Sequence, residues 1–223
     1  MMDNSGVTVK KTDASGLPGG GSGGNEGAAG LGEKRELKKT VRKGLQIRDV
    51  LLIGILLAAG AVLRTAVGTV INFGMKPNFI IAMYCLTILL IRPGLVEAAI
   101  IGILSGAVCQ LFPGQPYINF VSELLGALSM CLLIRVPVAG GSTGVLRKTL
   151  EAARIIGCTF LSTLVSGFSF IAVMYLMYYS GAAITPTPLA IFLAIIFGTA
   201  LINSVIVQIL YIPLKLALKR NDD

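Results

Sequence analysis

"RDVLLIGILLAAGAVLRTAVGTVINFGMKPNFIIAMY", Arg48 to Tyr84, decides how the whole chain is read. Its first part, Arg48–Val70, is an apolar run long enough for a membrane-crossing helix, which takes about 20 residues. Gly74 and Pro77 then punctuate the chain, and a second apolar run opens. Lys76 stands between the two runs as a single fixed positive charge. Its meaning depends on which face of a membrane it meets.

The rest of the chain supports a membrane reading. Of 223 residues, 54% are hydrophobic and 13% are charged, with a mean hydropathy of +0.81. Soluble domains carry about 25% charged residues. An all-α integral membrane protein is therefore expected. The chain has four cysteines and no histidine. Cys85, Cys109, Cys131 and Cys158 each lie alone within an apolar run, so they read as buried thiols rather than metal ligands. No metal or other cofactor is expected. Without histidine the commonest general base is missing. Ser105 and Lys76 are the only pair left for a serine–lysine enzyme, and they fall on different segments.

Residues 1–45 are of different material. "SGLPGGGSGGNEGAAGLG" is too rich in glycine to bury a core, and "EKRELKKTVRK", Glu33–Lys43, is strongly basic. A disordered tail with a juxtamembrane segment facing anionic lipid is expected, with no nucleic-acid partner. A secretory signal peptide is not expected, because the first apolar run starts near Asp49 and no cleavage site follows. The membrane domain is placed at 46–218, with 219–223 as a short second tail.

Apolar runs at Arg48–Val70, Pro77–Ile91, Gly94–Phe112, Tyr117–Val136, Thr149–Tyr179 and Pro188–Leu218 predict a bundle of six transmembrane helices. The second run is short, about 22 Å of helix against a core of about 30 Å. Six crossings put Arg92, Arg135, Arg147, Lys148, Arg154, Lys215, Lys219, Arg220 and the basic tail on one side. By the positive-inside rule that side is cytoplasmic, together with both termini. Lys76 is then the only cation in the outer loops.

Polar residues gather near that outer face. Arg64 lies roughly 22 Å along the first helix. Lys76 and Asn78 flank the mouth of the second helix, and Gln110 ends the third. Asn119 and Glu123, four apart, share a face of the fourth. Ionisable groups inside a membrane are costly and usually line a site. A cationic and an anionic side suit a zwitterion. Phe73, Phe79 and Tyr117 lie at similar depth and offer rings to stack on a flat apolar group, although interfacial aromatics also act as plain anchors.

Gly54, Ala58, Ala61 and Thr65 form one stripe of small residues on the first helix, which permits close approach of another helix. The stripe serves either packing within the bundle or docking of a partner protein. Elsewhere, Glu97 and Glu151 are expected in local ion pairs, and Asn203 and Gln208 in interhelical hydrogen bonds. "GGSTG", Gly140–Gly144, lacks the ending of a nucleotide-binding loop.

"LAAGAVLRTAV", "GMKPN" and "LLIRPGLVEAAIIGILSGAVCQLFPGQPYINFVSELLGAL" together resemble the substrate-binding S components of energy-coupling factor (ECF) transporters, and within them the tryptophan-transporter, TrpP-like, family. The resemblance covers roughly Leu51 to Leu133 and rests chiefly on the Gly-Met-Lys-Pro junction and the Phe-Pro-Gly loop. It implies a six-helix protein that binds substrate near the outer face, joins a scaffold membrane protein and two ATPases, and topples to release substrate inside. It implies scaffold contact at Ala58 and Ala61. The combined expectation is an importer subunit for tryptophan. Lys76 and Arg64 would hold the carboxylate, Asn119 and Glu123 the amine, and Phe73, Phe79 and Tyr117 the ring. A stand-alone secondary transporter of an amino acid or vitamin is the alternative, though no internal repeat is visible.

Overall fold

A computed structural model describes residues 44–70, 77–112, 117–136, 144–181 and 188–219. Among them the only regular elements are six helices: α1 (Ile47–Val70), α2 (Ile80–Ile91), α3 (Leu95–Cys109), α4 (Ile118–Leu133), α5 (Val145–Tyr179) and α6 (Leu189–Lys219). Each expected run carries one helix. Three of them, α1, α5 and α6, are long and apolar enough to cross a membrane unaided; α2, α3 and α4 are shorter apolar helices.

The short helix α2 is the axis of the bundle. All residues from Ile80 to Leu89 are buried, and α2 touches every other helix. A helix that is apolar all round belongs inside. Its 12 residues need not reach both surfaces, because protein rather than lipid surrounds it from Ile80 to Leu89. Every other helix presents exposed Leu, Ile, Val or Phe side chains to the outside, as a lipid-embedded body requires; examples are Leu51, Val96, Leu125, Leu161 and Leu201.

Helix α2 starts three residues later than the apolar run. Pro77 and Asn78 precede the first turn, and the Asn78 side chain accepts a hydrogen bond from the Ile80 N–H at 3.3 Å. An asparagine amide that binds the backbone two residues ahead opens a helix rather than continuing one. Helix α5 starts earlier than expected, at Val145. Its first turns hold the Arg147–Glu151 ion pair at 3.3 Å, one helical turn apart. Among the described residues Glu97 makes no ion pair; its carboxylate instead accepts from the Gly94 N–H and caps α3.

Two glycines set the distance between α3 and α4. A Cβ on Gly102 would lie 2.8 Å from the Leu124 Cα, and one on Gly106 2.8 Å from the Phe120 Cα. This is the small-residue spacing that lets membrane helices touch backbone to backbone. It carries the α4 turn bearing Glu123 into the bundle. Ser162 of α5 donates to the Gly126 carbonyl at 2.8 Å and ties α5 to the other side of α4.

Candidate functional site

Glu123, on the second turn of α4, is 1% exposed. Ser166 of α5 donates to its Oε2 at 3.3 Å, and Asn78 Nδ2 donates to its Oε1. Asn78 Oδ1 in turn accepts from Arg64 Nη1 at 3.3 Å. The asparagine amide therefore bridges a cation on α1 and a carboxyl group on α4. Asn203 of α6 donates to the Asn78 carbonyl at 3.2 Å and holds this segment from behind.

Cys109 ends α3 within the same cluster. Its sulfur lies 3.2 Å from Arg64 Nη1, 3.7 Å from Asn78 Nδ2 and 3.9 Å from Glu123 Oε1. The Arg64 guanidinium also stands over the Phe112 ring, 5.0 Å from its centroid. Arg64 is 9% exposed, and its Nε has no hydrogen-bond partner; neither has Asn203 Oδ1. Buried polar atoms normally find partners, so among the described residues this donor and this acceptor remain open to one.

Of the residues singled out by sequence, Arg64, Asn78 and Glu123 are brought together directly. Asn119 is 8% exposed, one turn before Glu123 on α4. Phe79 is 2% exposed and immediately precedes α2. Tyr117 is 72% exposed at the start of α4, so the structure does not bring its ring to the cluster; its N–H donates to Gln110 Oε1 at 3.4 Å. Lys76 and Phe73 lie outside the described residues. Cys109, Ser166 and Phe112 were not anticipated. Nothing in their types separates them from Ser105, whose hydroxyl merely bonds back to Ile101 within α3 at 2.8 Å.

The small-residue stripe faces outward. Gly54, Ala58 and Thr65 are exposed and Ala61 is half-buried, and a Cβ added at Gly54 would meet nothing. Packing among the described helices leaves most of it uncovered.

The family model for the tryptophan transporter TrpP matches residues 46–219. The chain belongs to this family. The match runs from the first residues of α1 to the end of α6, so it takes in the whole described bundle and every residue of the cluster. Neither a curated protein nor a solved structure matches the chain. Membership makes this a membrane transport protein, in keeping with its long apolar helices.

Proposed function

We propose that this chain is the substrate-binding subunit of an ECF-type importer and that it captures tryptophan in the Arg64–Asn78–Glu123 cluster. One observation carries the reading: the Asn78 amide presents an acceptor to Arg64 and a donor to Glu123 at once. An amino-acid zwitterion presents the same pair with full charges. Charge-assisted hydrogen bonds are roughly twice as strong as neutral ones, so carboxylate and ammonium are better occupants of these two poles than an amide. Entry of the substrate then displaces the Asn78 side chain, Arg64 takes the carboxylate with help from Lys76, and Glu123 with Asn119 takes the ammonium. Phe79 and Phe112, rather than Tyr117, are the rings best placed for the indole.

The family supports tryptophan as the solute. The outward stripe Gly54, Ala58, Ala61 and Thr65 supports docking of a scaffold protein against α1. The loop "GGSTG" lacks a nucleotide-binding ending, which supports energy supplied by partner ATPases. The distribution of Lys and Arg supports six crossings with both termini cytoplasmic and the cluster near the outer face.

Tryptophan titration of the purified protein tests the site. The chain has no tryptophan of its own, so indole emission reports the ligand alone. Tryptophan is expected to bind, with tryptamine and indole-3-propionate each weaker by about 10-fold or more, because each leaves one buried pole unpaired. Equal binding of all three would remove the two-pole assignment. Absence of tryptophan binding would remove the substrate. Co-purification of a membrane scaffold and two ATPases tests the assembly.

A further inference from the structure

The opposite end of the bundle holds a second polar hollow. Helix α2 runs from the Asn78 cluster to Arg92, and α4 ends, α5 begins and α6 ends at the same level. Between them lie two adjoining cavities of about 90 Å³ and 390 Å³ that share Arg92, Ile134 and Arg154. Arg135 and Lys215 complete the polar lining, with Glu151 as the one acid. Glu151 is already engaged by Arg147 at 3.3 Å. Among the described residues four cations thus surround one space, and Glu97, a further acid at this end, is engaged in capping α3.

Arg92 is the most telling of the four. It caps α2 in the left-handed region, at φ 52°. Glycine is the residue that takes this position without strain. An arginine there keeps a strained backbone in exchange for a side chain at the hollow. Arg135 donates to the Pro93 carbonyl at 3.3 Å and Arg154 to the Ile134 carbonyl. A guanidinium has five N–H donors, so each retains donors for another acceptor. Lys215 is steadied over the Tyr211 ring at 5.3 Å.

We propose that this hollow binds the phosphate of an anionic phospholipid headgroup. Basic pockets between membrane helices are suited to such headgroups. Exposed Leu132 on α4 and Ile212 and Leu216 on α6 flank the same level and supply an apolar surface for the acyl chains. A free phosphate shares the chemistry at the cations but has no use for that surface. The inference requires only that the helices lie in a membrane; it is independent of the tryptophan assignment.

Native mass spectrometry of the full chain in mild detergent is the test, with phosphatidylglycerol and phosphatidylcholine of identical chains added in parallel. Phosphatidylglycerol is expected to bind about 10-fold or more tightly than phosphatidylcholine. Arg92→Gly and Lys215→Gln are each expected to weaken it about fivefold, the effect of one cation near a membrane surface. Arg92→Gly suits the backbone, so its melting temperature is expected to hold or rise. Tryptophan binding by both variants is expected to match the parent, which separates this site from the Asn78 cluster. Equal binding of the two lipids, or unchanged phosphatidylglycerol binding in both variants, would overturn the proposal. So would full displacement of the lipid by millimolar inorganic phosphate, which would assign the hollow to a soluble anion.

Discussion

Asn78 is held at four of its polar contacts: Arg64, Glu123, Asn203 and the Ile80 N–H all bond to it. A single amide thereby bridges a buried guanidinium and a buried carboxyl group, giving each a hydrogen bond. Leaving either group bare inside the bundle is expensive, about 1–3 kcal/mol or more for a charged group. Glu123→Gln keeps the shape but removes the anionic pole. It is expected to weaken tryptophan binding by about 10- to 100-fold while narrowing the gap between tryptophan and indole-3-propionate, both read from indole emission. If E123Q bound tryptophan as well as the parent, the ammonium would have to sit elsewhere. Arg64, Asn78, Asn119 and Glu123 were legible because polar residues stand out against apolar runs. Cys109, Ser166 and Phe112 were not, since a thiol, a hydroxyl and a ring are ordinary occupants of such runs.

Among the elements, the α3–α4 pair and α2 determine where the site lies. Gly106→Val would drive a branched side chain into the Phe120 backbone. Overpacking of this kind costs about 1–3 kcal/mol, and backbone contact places it at the upper end. A lower melting temperature and weakened tryptophan binding together are the expected outcome, since Glu123 lies on the displaced helix. Gly126 makes a second such contact: an added Cβ would fall 2.1 Å from the Tyr84 hydroxyl oxygen and 2.9 Å from the Ser166 Cβ. Gly126→Ala is expected to destabilise the protein, and Tyr84→Phe to restore part of the loss, because it removes the hydroxyl oxygen that the added methyl would meet first. Thermal melting of the two single variants and the double variant measures that coupling. The Gly102–Gly106 spacing was present in the sequence in the same form as the α1 stripe. Only the structure showed that one is closed by α4 and the other open.

At the scale of the described bundle, the helices turn apolar side chains outward, and the buried Arg64–Asn78–Glu123 cluster and the Arg92 hollow lie at opposite ends of the central helix. All four cysteines are buried. A membrane-permeant maleimide is therefore expected to label none of them in the folded protein and all of them after denaturation; rapid labelling of the native state would contradict the packing. The open stripe on α1 bears on assembly. Ala58→Phe adds bulk at an exposed position without adding an indole, so tryptophan binding is expected to persist while co-purification of a scaffold is lost. Retention of the scaffold by this variant would move the docking face away from α1.

The amino-acid sequence by itself determined the membrane character, the approximate positions of the helices and the presence of isolated opposite charges within apolar runs. Apolar runs, proline and glycine breaks and isolated ionisable residues are local signals, and local signals survive in one dimension. The tertiary structure alone decided that the shortest helix is the central one, that Tyr117 points away while Phe112 lies under Arg64, and that Asn78 joins the two charges. Those outcomes depend on which helix faces which. That is set by the close approach of glycine-lined backbones and by the need of each buried polar group for a partner on another helix.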